Sequence, residues 1–375
     1  MVDLARKNLL HDKLRFGITV AGVAFAVTLV LFQVGLFLGL LDNASVIIEH
    51  LDADLWVTPR NTANVDFSKT FPETRVHRVR SIPGVARADN MIVGYMDVSL
   101  PTGSQEGALT YAVEDFRRWG LPWDWTGGDP EDLRRGPYVM IDGAAESRFG
   151  PFEVGDYREF LGKRMKVIGK TRGALTFTTM PVTFMDLRTV QELVPDRYAG
   201  QATYILVKLA PGADVDAVRR EIQRRLPYND VYTRAAWARQ SRAYWIKSTG
   251  LGFTMGMTVF LGCLVGIVIV AQTLYTSTME HLREFGTLKA IGGSNGLIYR
   301  ILTRQALISG LVGFVLGTVP VLAARPLLQG SGMKLVLPAS FGVFVFVGTL
   351  VMCVAAAMVS FRKVASIDPA LVFRG

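Results

Sequence analysis

The chain has 375 residues, of which 50% are hydrophobic and 19% charged, with a formal net charge of +9 and a mean hydropathy of +0.29. This composition is too apolar for an ordinary soluble domain, and the charges are segregated from long uncharged runs. The charge excess does not indicate nucleic-acid binding, because residues 42–247 hold 28 Lys and Arg against 27 Asp and Glu. The excess lies outside that region, beside the uncharged runs.

Residues 1–15 precede the first uncharged run and place four leucines among basic side chains. This pattern is typical of an amphipathic helix at the cytoplasmic interface, and equally of a basic flank whose side chains reach back to the interface. The first run is 26 residues long, which exceeds the apolar core of a signal peptide, and no small-residue cleavage motif follows Leu41. We therefore expect this segment to remain in the protein.

Four runs without Asp, Glu, Lys or Arg are each long enough to cross a bilayer, which takes about 20 apolar residues. They are residues 16–41, 248–279, 305–324 and 335–361. The sequence therefore predicts a membrane α-helical protein with four transmembrane helices. It also predicts a large extracytoplasmic α/β domain, residues 42–247, inserted between helices 1 and 2.

Basic residues beside spans mark the cytoplasmic side of a membrane protein. They cluster in residues 1–15, 280–304 and 362–375, whereas only Arg325 and Lys334 flank the opposite loop, residues 325–334. We therefore predict a multi-pass protein with both termini and the 280–304 loop in the cytoplasm. The large domain then lies outside the cytoplasm.

Within the large domain, residues 77–100 predict a short helix, a Pro-Gly turn and strands, and residues 108–114 and 201–210 are typical strands. Residues 214–227 keep helical spacing. The helix, break and strand pattern near both ends indicates two related α/β halves. Both cysteines, Cys263 and Cys353, lie in spans, so no disulfide framework is expected in this domain.

The middle of the domain, roughly residues 115–200, is predicted to form a separate lobe. Its aromatic cluster contains Trp119, Trp123 and Trp125. Such a cluster fits the lobe's core or a turn better than a site for an apolar ligand or partner.

Catalytic and ligand motifs in the chain lack their required context. Gly292-Gly293-Ser294-Asn295-Gly296 satisfies G-x-S-x-G, but a nucleophile elbow needs a preceding strand, and here the motif joins two apolar helices. A better interpretation is that the glycines end one helix and Ser294 caps the next. Gly169-Lys170-Thr171 lacks the first glycine of a phosphate loop, and the four histidines are scattered. We predict no nucleotide, cofactor or metal site in this chain.

The spans themselves contain no Asp, Glu, Lys, Arg or His, which argues against a proton- or ion-coupled carrier. Gln33 and Gln272 are candidates for hydrogen bonds between helices. Pro320 is expected to kink or end the third span, and the fourth follows Pro338. Small residues in the second span recur near one face, which predicts close helix packing within the chain or in a dimer. These residues are Gly252, Gly256, Gly262 and Gly266.

The loop at residues 280–304 carries apolar side chains every three residues, interleaved with charges. A solvated helix end gives the same bare pattern. The wording E-H-L-R-E-F-G-T-L-K-A-I-G, however, resembles the cytoplasmic loop of FtsX/MacB-type ABC transporter permeases, and is most similar to the DevC-type branch. The resemblance covers the whole chain, including I-P-G-V at residues 82–85 and V-M-I-D-G-A-A-E-S-R-F-G at residues 139–150.

This resemblance implies a permease subunit of an exporter, in a bacterial inner membrane with its large domain in the periplasm. A separate cytoplasmic ABC ATPase would bind ATP and Mg and push on the loop, and the second span would transmit movement to the domain. Further implied partners are a second permease copy in a homodimer, a periplasmic adaptor and an outer-membrane channel, besides membrane lipids. The residues expected to contact the ATPase are Glu280, Glu284, Phe285, Gly286, Leu288, Lys289, Ile291 and Gly292.

Two other functions remain open from the sequence. One is an FtsX-like transmitter that controls extracytoplasmic cell-wall hydrolases, and the other is a membrane-anchored binding or sensor protein without an ATPase. The motifs are specific to the family rather than to a substrate.

Overall fold

A computed structural model describes residues 13–280, 287, 294–330 and 333–365. The chain divides into two compact units. One contains the long apolar helices, and the other is an α/β domain formed by residues 39–252 with residues 329–333.

Within the described residues, four helices are long and apolar enough to cross a membrane, as predicted. They are α1 (Lys13–Asn43), α10 (Leu251–Glu280), α11 (Asn295–Gly330) and α12 (Ala339–Ala365). Aliphatic side chains from all four form one buried cluster, which includes Val23, Val270, Ala306 and Ala356. The α/β domain lies between the first and second of these helices in the chain.

The third apolar helix, α11, differs from the predicted span at both ends. It starts at Asn295, ten residues before the predicted span, and Ile298, Ile301 and Leu302 in this extra part are already buried. The last ten residues of the predicted loop are therefore helical. Nor does Pro320 end the helix, which runs on to Gly330. Helices within a bilayer tolerate proline because neighbouring groups can satisfy the freed carbonyl.

The short elements of the α/β domain follow one another closely. The helices are α2 (Val46–His50), α3 (Arg75–Arg80), α4 (Phe116–Trp119), α5 (Glu146–Phe149), α6 (Leu187–Leu193), α7 (Pro195–Tyr198), α8 (Val215–Arg225) and α9 (Arg234–Ser248). The strands are β1 (Leu55–Pro59), β2 (Phe71–Pro72), β3 (Val85–Ser99), β4 (Gln105–Val113), β5 (Trp125–Gly127), β6 (Tyr138–Asp142), β7 (Tyr157–Phe160), β8 (Lys163–Thr171), β9 (Val182–Asp186), β10 (Gln201–Ala202), β11 (Tyr204–Leu209) and β12 (Asn229–Thr233).

The strands form a ten-stranded sheet in the order β12-β1-β11-β3-β4-β9-β6-β8-β5, with β7 paired to β3 and β8, and β2 and β10 pair separately. The first four strands of this order are mutually antiparallel neighbours. They interleave two β-α-β units, one made of β1, α3 and β3 and the other of β11, α8 and β12. This is the split β-α-β arrangement. The two α/β halves expected from the sequence are thus interleaved in one sheet.

The middle of the domain continues the same sheet instead of forming a separate lobe. Strand β4 pairs with β3 along nine residues and with β9 in parallel on its other edge. Two cores lie on this part of the sheet, one built around Trp56, Trp119 and Trp237 and the other around Phe149 and Phe160. Backbone pairing across β3 and β4 makes the domain one continuous unit.

Local sequence explains why the elements begin where they do. Helix α8 starts after Asp214, whose side chain accepts hydrogen bonds from the backbone of Asp216 and Ala217. Val218 and Ile222, four residues apart, are its buried face. The same side-chain capping starts α9, where the Thr233 hydroxyl accepts from the Ala236 N–H.

Candidate functional site

The candidate site is the segment predicted to couple the chain to an ATPase, residues 280–304 and called the coupling segment below, together with the helices on either side of it. Of the residues expected to contact an ATPase, the structure describes Glu280, at the end of α10. The others lie outside the described residues. They are Glu284, Phe285, Gly286, Leu288, Lys289, Ile291 and Gly292.

Glu280 forms a two-pronged ion pair with Arg15 on the first turn of α1. Both guanidinium Nη atoms donate to the two carboxylate oxygens, which is the geometry that fixes two side chains relative to one another. The ion pair therefore connects the end of the second apolar helix to the start of the first. Arg15 was predicted as part of a basic cluster, but nothing in the sequence indicated this partner.

Two of the four glycines predicted as a packing face lie against another apolar helix. A methyl group added at Gly262 would come 2.8 Å from Leu29 Cδ2, and one at Gly266 would come 2.9 Å from Ala26 Cβ. At Gly256 an added Cβ meets no described atom within 4 Å, and Gly252 faces Ile246 on the preceding helix. Within one copy of the chain, the glycines therefore do not form a single contact face.

Other close helix contacts involve glycines that the sequence analysis did not select. A Cβ at Gly313 would lie 2.6 Å from Val23 Cβ, and one at Gly317 would lie 2.5 Å from the backbone oxygen of Ala24. The Thr28 hydroxyl donates to the Gly317 carbonyl at 2.8 Å. Residues 310–317, G-L-V-G-F-V-L-G, carried the spacing from which this contact face could have been predicted.

A polar contact also joins the first and second apolar helices. The Gln33 side-chain amide donates to the Met255 sulfur at 2.6 Å, whereas the side chain of Gln272 is exposed. Several large side chains of α10 point outward instead, among them Phe253 and Phe260. An outward apolar surface of this kind suits lipid or another helix.

Helix α9 connects the α/β domain to the second apolar helix through a two-residue break. Its last residue is Ser248, and α10 starts at Leu251. Gly250 between them has a φ of +68°, a conformation in which a side chain is strained. The predicted second span, residues 248–279, therefore begins three residues early, and Thr249–Gly250 is a joint between two helices.

An aromatic clamp holds the end of α9 that lies next to this joint. Trp245 stacks on Phe177 with ring centroids 4.1 Å apart and planes at 10°. Phe67, on another loop, contacts the same indole, with ring centroids 5.8 Å apart. One turn earlier, the Ser241 hydroxyl accepts from the Val65 N–H. Sequence reasoning missed Trp245, although Trp237 and Trp245 are eight residues apart and thus share one helix face.

Next to the clamp lies Asp66, a buried carboxyl group. Burial raises the pKa of Asp66 to about 7, while a hydrogen bond from the Tyr111 hydroxyl, at 3.4 Å, lowers it. Burial and, after it, the neighbouring Asp66 carboxylate raise the pKa of Tyr95. The loop that carries Phe67 therefore contains a group whose charge changes near neutral pH.

The Asp142 carboxylate fixes the other clamp loop. It accepts hydrogen bonds from the Thr171 hydroxyl at 3.0 Å and from the Ala174 N–H at 2.9 Å, and a third from the Ala144 N–H at 3.0 Å. Burial is the largest cause of a raised pKa at Asp142, and these hydrogen bonds oppose it. Asp142 belongs to the segment V-M-I-D-G-A-A-E-S-R-F-G, so that motif has a structural role here.

The three tryptophans singled out in the sequence occupy different environments. Trp119 is fully buried and donates through Nε1 to Asp89 at 3.0 Å, and Trp123 stacks on His50. Trp125 is 45% exposed on strand β5. They do not form one aromatic surface. Among the residues that the structure describes, no group of three or more His, Cys, Asp or Glu side chains is placed to hold a metal ion.

Comparison with known protein families gives two matches that together cover most of the chain. Residues 16–225 match the MacB-like periplasmic core domain, and residues 256–369 match the FtsX-like permease C-terminal domain. The first match alone covers more than half of the chain.

Two relatives are similar along most of their length. An uncharacterized ABC transporter permease of Mycobacterium tuberculosis strain H37Rv is 26% identical over 379 residues, which is 100% of both chains. An uncharacterized ABC transporter permease of Methanocaldococcus jannaschii is 21% identical over 336 residues, covering 84% of this chain and 82% of the relative.

Among solved structures, the periplasmic region of MacB from Actinobacillus actinomycetemcomitans matches 50% of this chain and 92% of its own, with a TM-score of 0.40 and 11% identity. The extracellular domain of the noncanonic ABC-type transporter YknZ from Gram-positive bacteria matches 48% of this chain and 98% of its own. Its TM-score is 0.37 and its identity 14%.

Proposed function

The chain belongs to the family of permeases with a MacB-like periplasmic core domain and an FtsX-like C-terminal domain, and from this membership we propose a mechanical function for it. It is an ABC transporter permease of the MacB/FtsX type. A separate cytoplasmic ATPase binds the coupling segment, and ATP hydrolysis there drives movement of the α/β domain. In this proposal the chain has no nucleotide site of its own and acts by transmitting force.

The connection between α9 and α10 is the observation that carries the proposal. Helix α10 runs without interruption from Leu251 to the first residue of the coupling segment, Glu280. At its other end, two residues connect it to α9, which is anchored by the buried Trp237 and Trp245. Movement of α10 is therefore passed covalently to a helix that is part of the domain's core.

The charges of the chain support transmission of force over conduction through the spans. The four uncharged runs contain no Asp, Glu, Lys, Arg or His, the groups from which proton relays and ion sites within membranes are built. The ion pair between Arg15 and Glu280 connects α1 to α10 beside the coupling segment. A force on the segment then acts on two helices, both of which continue into the domain along the chain.

The proposed topology places both termini and the coupling segment in the cytoplasm. The large domain then lies in the periplasm of a bacterial inner membrane. To test this, a cysteine is introduced at the exposed Ser104 after replacing Cys263 and Cys353 by alanine. An impermeant maleimide should label it in intact cells. Labelling only after the membrane is broken would reverse the proposed orientation.

The proposed partners follow from the family and from the resemblance to DevC-type permeases. They are the ATPase, which holds ATP and Mg, a second copy of this chain, a periplasmic adaptor and an outer-membrane channel. Capture of the detergent-solubilised protein, with identification of its companions, tests this set. An ATPase with an adaptor supports an exporter, whereas an ATPase with a cell-wall hydrolase supports an FtsX-like transmitter.

Phe285 is the coupling residue whose truncation gives the sharpest test, since aromatic anchors carry much of the binding free energy at interfaces. Loss of one such anchor costs about 2–4 kcal/mol, or roughly 30- to 1000-fold in affinity. Phe285→Ala should therefore release the ATPase while the permease still inserts. The control is Phe344→Ala, an outward-facing phenylalanine of α12 that is 73% exposed. Equal ATPase retention by both variants would remove Phe285 from the interface.

A further inference from the structure

A cleft of about 500 Å³ lies on the α/β domain between α2 and α9. Six residues line it, and they carry three guanidinium groups and one carboxylate. These residues are Glu49, Arg234, Ala235, Ala238, Arg239 and Arg242. We propose that this basic cleft binds the phosphate headgroup of an anionic membrane phospholipid.

The spacing of these residues on α9 puts the arginines on one face. Arg234, Ala238 and Arg242 are four residues apart in turn, and Arg239 is next to this row. The adjoining face, with Trp237, Ser241 and Trp245, is buried in the domain. The two alanines leave room between the longer side chains, so the cleft has a small apolar floor and a basic rim.

Most of the positive charge in the cleft is uncompensated. Arg242 pairs with Glu49, which also accepts from the Ser45 hydroxyl at 3.4 Å. Neither Arg234 nor Arg239 forms a side-chain hydrogen bond or ion pair with any residue that the structure describes. Two free guanidinium groups can each donate a pair of N–H groups to a phosphate, a geometry that suits arginine.

The neighbouring acidic residue Asp54 is already engaged. Its backbone carbonyl accepts from the Arg234 N–H at 3.1 Å. Its carboxylate accepts from the Leu209 N–H at 2.9 Å and lies 3.4 Å from Lys208 Nζ. Moreover, the first turn of α9 has no acidic residue, so Arg234 adds charge to the positive end of the helix. A bound anion would compensate both the charge of Arg234 and the positive end of the helix.

The residues of this cleft lie close in sequence to two of the membrane-spanning helices. Glu49 follows the end of α1 at Asn43 by six residues, and Arg242 precedes the start of α10 by nine, seven of them helical. Either connection reaches at most about 20 Å. One turn beyond Arg242, on the same face, Ile246 is 42% exposed. Basic groups followed by an apolar side chain match a lipid, which has an anionic headgroup and apolar tails.

The test measures the thermal unfolding of full-length protein in neutral detergent by tryptophan fluorescence. Short-chain phosphatidylglycerol should raise the unfolding temperature progressively as its concentration exceeds its dissociation constant. Short-chain phosphatidylcholine should do so much less, because the arginines repel its quaternary ammonium. The double variant Arg234→Gln/Arg239→Gln should raise the dissociation constant for phosphatidylglycerol about 10- to 100-fold. The control, Arg60→Gln/Arg220→Gln, removes two arginines that do not line the cleft and should bind like the wild type.

A further variant, Glu49→Gln, distinguishes a binding site from a folding defect. It removes the carboxylate that holds Arg242 and should tighten phosphatidylglycerol binding, a gain that a damaged fold does not produce. The proposal is overturned if the arginine double variant and its control bind phosphatidylglycerol equally. It is also overturned if inorganic phosphate alone stabilises the protein as much as the lipid, or if poly-glutamate stabilises it and phosphatidylglycerol does not.

Discussion

Replacing Gly317 by alanine should loosen the contact between the first and third apolar helices. The new Cβ would lie 2.5 Å from the Ala24 backbone oxygen and 2.9 Å from Val27 Cβ. Carbon and oxygen atoms in contact stay more than 3 Å apart, and a backbone carbonyl has little freedom to move. The helices would have to separate by several tenths of an ångström, which also stretches the 2.8 Å hydrogen bond from Thr28 to the Gly317 carbonyl.

We expect a loss of about 1–3 kcal/mol in the free energy of unfolding. Overpacking of a close contact costs about 1–3 kcal/mol, and a hydrogen bond between membrane helices contributes about 0.6 kcal/mol. The same substitution at Gly256, where no described atom lies within 4 Å of the added Cβ, should be neutral or slightly stabilising. The two glycine variants are therefore predicted to differ in sign.

The assay is thermal unfolding of the detergent-solubilised chain, with cysteine cross-linking between α1 and α11 as a second readout. Gly317→Ala should lower the unfolding temperature and the cross-linking yield, and Gly256→Ala should lower neither. Equal stability of the two variants would refute the close contact at Gly317.

Three further predictions concern the domain and the joint. Folding raises the Asp66 pKa from 3.8 to about 7, so the folded chain binds this proton more tightly than the unfolded chain. The free energy of unfolding should therefore fall as the pH rises from about 4 to about 7. The loss is about 4 kcal/mol at most, and Asp66→Asn should flatten the pH profile of the unfolding temperature. Trp245→Ala should lower the free energy of unfolding, measured by chemical denaturation, by about 3–5 kcal/mol. The exposed Trp125→Ala should lower it by less than about 1 kcal/mol. Glu280→Arg should reduce ATPase stimulation by repelling Arg15, and adding Arg15→Glu should restore it.

The apolar helices and much of the domain were predictable because their signals are local. A long uncharged run predicts a span by length alone, and Asp214 followed by Val218 and Ile222 predicts a capped helix with one buried face. Strand β4 and helix α8 lie close to where the sequence put them. The interleaving of the two β-α-β units was not predictable, because the pairing of β1 with both β11 and β12 joins residues about 150 or more positions apart.

In the candidate site, too, local features were predictable from the sequence and contacts between distant residues were not. Gly262 and Gly266 lie against α1, but Gly256 has open space, because a repeat along one helix does not reveal where the neighbouring helix crosses it. The ion pair between Arg15 and Glu280 joins residues 265 apart, and the sequence carries no local sign of it. Phe285 stays a prediction from the resemblance alone.

The most direct test of force transmission is a spectroscopic distance change in the domain on addition of ATP. The purified complex of permease and ATPase carries a spin label at Ser104, and the distance between the labels of two copies is measured with and without ATP. We predict that this distance changes when ATP is added. A flexible six-glycine insertion at the Thr249–Gly250 joint should abolish the change while hydrolysis continues. An unchanged distance in the wild-type complex during active hydrolysis would contradict it.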